Sequence, residues 1–209
     1  DGTLLKGRFI INLAQRTGKT NYLNRYLDSS DLSSTERTEK IASLFKDVPK
    51  TVFEEAALSI SLMNGATEIV IALRKAGYRV GIVSDSFRVA TEIVRRRVFA
   101  DFSIAHMMRF HKGIASGEVM ISPAMRHEQG CQEHGICKKN VLLHLCEHLG
   151  LTPDKVIAVG DSDPDSCMVR EAGIGIAFQP KSPTFAAAAD YVFEESLMEI
   201  LQTLSSQQP

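Results

Sequence analysis

Three short apolar runs, RVGIVS at 79–84, KVIAVG at 155–160 and IGIAF at 174–178, govern what this chain can fold into. Each is apolar at nearly every position and bounded by polar residues, the pattern of a strand covered on both faces. Between them the apolar spacing is helical. NGATEIVIALRKA at 64–76 predicts a helix with Asn64 as its cap and Glu68 in its first turn, and KKNVLLHLCEHL at 138–149 predicts another that ends at Gly150. Buried strands alternating with helices imply a parallel sheet, hence an α/β fold. Thr152-Pro153 and Ser182-Pro183 each set a capping side chain before a proline suited to the first helical position, so both predict helix starts.

Two segments depart from this alternation. Residues 7–59 are polar and helical in period, carry two candidate capping boxes, Ser33-x-x-Glu36 and Thr51-x-x-Glu54, and show no strand signal, which predicts a small helical insertion. Between Phe102 and Ile121 the sequence predicts two short strands around a glycine-containing turn. The final SSQQP is expected to fray. With 209 residues, 44% of them hydrophobic, the chain can bury one substantial core and carry a small accessory domain. A net charge of -1 gives no bulk attraction to nucleic acid or an anionic membrane. No apolar run reaches the ~18 residues of a membrane span and no leader pattern opens the chain, so a soluble cytoplasmic protein is expected. Four cysteines, two of them (Cys146, Cys167) in predicted helices, do not form the dense framework of a small secreted domain and are expected to be reduced. The chain opens on Asp1 with no strand before it, so it reads as a fragment or a trimmed domain.

Four separated segments carry chemistry: Asp1-Gly2-Thr3-Leu4, Val83-Ser84-Asp85-Ser86-Phe87, Lys138, and Gly160-Asp161-Ser162-Asp163-Pro164-Asp165. Singly, each has an ordinary structural reading: a surface turn, a helix cap, a solvated lysine, a cap after a strand. Together, in this order and at the ends of apolar strands, they resemble the four motifs of the haloacid dehalogenase (HAD) superfamily, especially its phosphoserine-phosphatase-like branch. The resemblance covers essentially the whole chain. It implies a Rossmann-like α/β core over residues 1–6 and 60–209, a small helical cap over 7–59, and a Mg²⁺-dependent phosphomonoester hydrolase that acts on a small phosphorylated metabolite through an aspartyl-phosphate. Within the pattern D-x-D-x-T, Asp1 matches the second aspartate, the general acid and base, which also offers its backbone carbonyl to Mg²⁺. Ser84 and the amides through Phe87 would hold phosphate oxygens at the carboxyl end of a strand, and Lys138 would balance their charge. Asp161, supported by Asp165, would supply hard oxygen ligands to the metal. Thr3, Asp85 and Ser86 border the same place. The nucleophilic aspartate of the pattern belongs two positions before Asp1, outside the sequence, so the chain as given is expected to be inactive.

Some residues depart from the branch. Arg8 stands where a phosphoserine phosphatase has the glutamate that binds the substrate amine, and the matching later stretch, FEEAALSISL at 53–62, has no arginine for a carboxylate. Both features argue against phosphoserine as substrate. Motif two reads SDSF instead of SGGF, which sets Asp85 near the expected phosphate unless its side chain turns toward substrate or caps the next helix, and Pro164 replaces an asparagine. A phosphotransferase sharing the same intermediate, and a catalytically silent binding domain, are the alternatives. A receiver domain shares the sheet type but lacks the cap segment and GDSDPD. His127, Cys131, His134 and Cys137, just before Lys138, offer zinc-ligand types at a spacing that matches no standard zinc motif; reduced loop thiols are the alternative.

Overall fold

The computed structural model describes residues 1–201, so the expected fraying of SSQQP lies outside the described residues. Four helices occupy the first segment: α1 (Phe9–Arg16), α2 (Thr20–Leu27), α3 (Ser34–Leu44) and α4 (Lys50–Leu58). Ser33 and Glu36 form the expected capping box at the head of α3. Thr51 does not head a helix. Pro49 is the N-cap of α4 and the Lys50 amide donates to the Gly113 carbonyl at 2.7 Å, so the helix begins one residue before Thr51 and needs no side-chain cap.

The remainder alternates strand and helix. In order come α5 (Ala66–Lys75), β1 (Gly81–Phe87), α6 (Arg88–Val98), β2 (Phe102–His111), β3 (Ile114–Met120), α7 (Lys138–Leu149), β4 (Ile157–Gly160), α8 (Ser166–Glu171), β5 (Ile174–Phe178), α9 (Pro183–Ala186) and β6 (Tyr191–Phe193). Asn64 does not cap α5: Gly65, at φ 79°, occupies the N-cap position. Ser182 does cap α9, accepting from the Phe185 amide at 3.1 Å, and Gly150 closes α7 at φ 64°. Thr152-Pro153 opens only a 3₁₀ turn.

The strands form two three-stranded sheets, β1-β2-β3 and β4-β5-β6. All pairings are parallel except β2 with β3, a hairpin whose tip residues Lys112 and Gly113 both have positive φ, 48° and 79°. That is the backbone a tight two-residue turn demands between twisted strands. The hairpin then reaches the helical segment: the Asp47 amide donates to the Ala115 carbonyl at 2.9 Å, and the Ala115 amide to the Val48 carbonyl at 3.0 Å.

One edge of β1 and one edge of β4 have no ladder partner among the described residues, and both border an apolar cavity of about 580 Å³. Consecutive residues of each strand line it, Val80 through Ser84 and Val156 through Val159. Successive side chains of a strand point to opposite faces, so the cavity lies along the strand edges.

Phe53 joins the helical segment to the first sheet. It is fully buried, with ring centroids 6.4 Å from Phe9, 6.0 Å from Phe45, 6.5 Å from Phe87 and 5.2 Å from Phe110. Nearby on β2, His106 is also fully buried; its Nδ1 accepts from the Ser122 amide at 3.2 Å, and its Nε2 has no partner among the described residues. Burial holds its pKa below the ordinary value, only partly countered by the charge of Asp85.

No helix among the described residues is long and apolar enough to cross a membrane. Phe53→Ala is expected to cost about 3–5 kcal/mol in urea denaturation, because it empties the contact between both parts of the core. His106 gives a pH signature. The unfolded imidazole protonates near pH ~6.5 while the folded one resists, so stability is full above that value and falls as pH drops toward the folded pKa, by at most about 1.4 kcal/mol per unit. Denaturation at pH ~7.5 and ~5.5 should show this loss in the wild type and a smaller one in His106→Gln.

Candidate active site

The segment Ser84-Asp85-Ser86 leaves the β ladder through a bulge. Between the pairs Val83↔Ile104 and Phe87↔His106, β1 advances four residues while β2 advances two. Such an irregularity re-aims side chains at the end of a strand. Ser84 and Ser86 both line the cavity; the Ser86 amide donates to Ser84 Oγ at 3.2 Å, and Ser86 Oγ is buried with no hydrogen-bond partner among the described residues. Asp85 is exposed and does not cap α6, whose N-cap is Phe87 without a side-chain hydrogen bond.

Motif four follows β4 directly. Asp161 and Asp165 are 4% and 3% exposed, a burial that carboxylates tolerate only when paired or hydrogen-bonded. Asp165 Oδ2 accepts from the amides of Asp161 at 3.0 Å and Ser162 at 3.3 Å, while its Oδ1 accepts from Lys138 Nζ at 2.6 Å. Burial alone would raise the carboxyl's pKa, yet the Lys138 charge and these bonds hold it below the usual range. Lys138 is the mirror case: burial opposes its charge, but Asp165, Asp85 and Asp161 drive its pKa well above that of a free lysine. Both groups are therefore ionised at neutral pH.

Asp161 takes part in a different set. Its Oδ1 accepts from Thr3 Oγ1 at 3.3 Å and its Oδ2 from Lys181 Nζ. Gly2 makes this approach possible, since at φ 80° it adopts a backbone that other residues resist and a Cβ there would lie 2.0 Å from Asp161 Oδ2. The Asp1 carboxylate accepts from the Phe9 amide at 3.0 Å, at the positive end of α1.

Asp1, Thr3, Ser84, Ser86, Lys138, Asp161 and Asp165 thus border one cavity. Arg8 and Asp85 are not among its lining residues, and Arg8 is exposed at the N-cap of α1. Sequence reasoning missed Lys181. Nothing local marks it except its place just before the Ser182-Pro183 helix start, and its contact with Asp161 is made across twenty residues. The loop before Lys138 also needs correction. His127 does not join Cys131, His134 and Cys137; its Nε2 bonds Glu147 Oε1 at 2.9 Å, and its ring packs on His144. Cys167 of α8 takes the place expected for it.

A model of haloacid dehalogenase-like hydrolases matches residues 130–197, the stretch containing Lys138 and motif four. A phosphoserine phosphatase of Idiomarina loihiensis is 30% identical over 171 residues, covering 80% of this chain and 71% of that protein. The chain belongs to the HAD superfamily. Within it the likeness is to the phosphoserine-phosphatase-like branch: a phosphoserine phosphatase of Archaeoglobus fulgidus is 26% identical over 98% of this chain, although the chain spans only 58% of that relative's length. A solved phospho-aspartyl intermediate analogue of phosphoserine phosphatase superposes with a TM-score of 0.81 at 26% identity, covering 97% of this chain and 94% of that one. The HAD neighbours therefore agree with the mixed α/β architecture.

Removing the cation at Lys138 leaves a buried, unpaired carboxylate. Lys138→Met is expected to destabilise the protein by about 3–5 kcal/mol in urea denaturation without added divalent cation. Lys139→Met, which breaks a more exposed pair with Glu171 at 2.6 Å, should cost about 1 kcal/mol or less.

Proposed function

We propose that the full-length protein is a Mg²⁺-dependent hydrolase of small phosphomonoesters that works through an aspartyl-phosphate. The observation that carries this reading is that Thr3, Ser84, Ser86, Lys138, Asp161 and Asp165 all line one cavity, with Lys138 bonded to Asp165 and Thr3 to Asp161 on its wall. Ser86 Oγ, buried and unpartnered among the described residues, suits a phosphate oxygen. Lys138 adds a positive charge to the lining of the same cavity.

The donor set also suits Mg²⁺. Asp161 would serve as a buried hard-oxygen ligand and the Asp1 backbone carbonyl as a second, while Asp165, whose oxygens hold Lys138 and two amides, would support the loop that carries Asp161. When bound, the ion would neutralise charge on the transferring phosphoryl group. Asp1 protonates the leaving alcohol and then takes a proton from the attacking water. In the family pattern the nucleophilic carboxylate lies two positions before the residue that Asp1 matches, and the slot between the edges of β1 and β4 that lack a ladder partner among the described residues would admit a strand carrying it. In-line attack from that position would form the aspartyl-phosphate that water later cleaves.

Residues 7–59 form the substrate-selecting cap of this reading, over a core of 1–6 and 60–209. The bond from the Phe9 amide to the Asp1 carboxylate supports it, because it ties the acid–base group to the first cap helix. Arg8 heads that helix but is exposed and outside the cavity lining, so it plays no part in this reading of the substrate site.

The full-length protein, assayed on a phosphomonoester panel that includes phosphoserine, should release phosphate only with Mg²⁺. Asp161→Ala should lower kcat/KM on the order of a thousandfold. Turnover indifferent to both changes, or a residue without a carboxylate two positions before Asp1, would sink the proposal.

A further inference from the structure

Behind the phosphate-site residues lies a second cluster that the reaction does not use. Cys131, His134 and Cys137 come from the loop that leads into α7, and Cys167 comes from the first turn of α8. One ligand atom from each lies within 4.8 Å of every other. Cys131 Sγ is 3.2 Å from His134 Nδ1 and 3.9 Å from Cys167 Sγ, and Cys167 Sγ is 3.6 Å from His134 Nδ1. All four cysteines of the chain are free thiols.

These spacings have a simple geometric meaning. With Zn–S near 2.3 Å and Zn–N near 2.0–2.1 Å, the edges of a tetrahedron around zinc are about 3.8 Å between sulfurs and about 3.5 Å from sulfur to nitrogen. The three edges among Cys131, His134 and Cys167 scatter around those values, and Cys137 Sγ lies within 4.8 Å of each of these atoms. Three of the ligand atoms come from one loop and the fourth from the separate helix α8, so they are brought together by tertiary packing and not by chain proximity alone.

The loop is built to hold that arrangement. Asn140, 2% exposed, accepts from the Cys131 amide at 2.7 Å and donates to the Met125 carbonyl at 2.8 Å, while the Cys137 amide donates to the same carbonyl at 3.0 Å. Gly130 leaves Asn140 its space, since a Cβ there would come within 2.0 Å of Asn140 Oδ1. The backbone around the ligands is thus fixed by bonds that do not involve the ligand atoms. Such outer contacts are what orient the ligands of a metal centre.

We infer that Cys131, His134, Cys137 and Cys167 form a structural zinc site. Three thiolates and a neutral imidazole are soft donors that select zinc over the hard Mg²⁺. The set is closed: four protein ligands leave no position for water or substrate, which separates it from a catalytic metal. Binding releases the protons of the three thiols. The site also has a consequence for the proposed phosphatase, resting on that reading: Cys137 immediately precedes Lys138, and Cys167 follows Asp165 by two residues. The ion would pin the start of α7 to the start of α8 and fix the Lys138–Asp165 pair from behind.

The test is the metal content of the full-length protein, purified under reducing conditions without chelator from zinc-supplemented medium. One zinc per chain is expected, retained in Cys146→Ser, whose thiol lies outside the cluster, and lost in Cys131→Ser and Cys167→Ser. Wild-type protein refolded with Co²⁺ should show the intense visible bands of tetrahedral coordination and a thiolate-to-cobalt absorption, a readout that depends on no variant folding. Metal-free wild type with no cobalt spectrum would overturn the inference, as would zinc that stays bound in both serine variants, or a Cys131–Cys167 disulfide in place of the metal. Zinc content is independent of phosphatase turnover, so either reading can fail without the other.

Discussion

The buried pair between Lys138 and Asp165 is the constraint around which this structure is arranged. A carboxylate 3% exposed persists in its charged form only with its lone pairs satisfied, and Asp165 meets that demand with one lysine and two backbone amides. The same bonds dictate the course of the chain. Asp161 and Ser162 must turn their amides back toward Asp165, which aims the Asp161 side chain at Thr3 and Lys181. Gly160 must lie close beneath, since a Cβ there would fall 2.4 Å from that of Asp165. Lys138 must begin its helix facing the loop. Pairing is worth little to stability compared with apolar burial of similar volume, so its retention here agrees with a role in positioning charge.

Packing makes the helical segment and the first sheet one body. Phe53 touches aromatic rings from α1, from the α3–α4 connection and from both β1 and β2, and the hairpin tip adds backbone bonds to residues 47–50. A segment fixed in this way can hold the Phe9 amide against Asp1. The opposite arrangement holds between the two sheets, where the edges of β1 and β4 that have no ladder partner among the described residues face a shared apolar cavity. Exposed ladder edges are ordinarily blunted or covered, and these two carry neither prolines nor a run of charges.

Much of this was legible from pattern alone. The three apolar runs became β1, β4 and β5, the predicted hairpin formed around Lys112-Gly113, and α7 spans the residues its periodicity predicted. Errors fell at helix starts. Asn64 and Thr51 have the chemistry of caps, but a left-handed glycine and a proline set those two boundaries because the backbone there was already committed to other contacts. Propensity yields to tertiary hydrogen bonds where both act on one residue.

Periods of 2 and 3.6 residues record which side of its own element a residue occupies, so the sequence by itself determined the element types, while the four motifs in their order carried the resemblance to the superfamily. It could not determine which distant side chains meet. Lys181 reaching Asp161, Ser84 and Ser86 leaving the ladder through a bulge, and Cys167 taking the place expected for His127 were all decided by tertiary structure. The physical reason is the same in each case. These contacts are made across crossover connections, where the distance between two side chains is set by how the intervening helices pack on the sheet, and no local period encodes that distance.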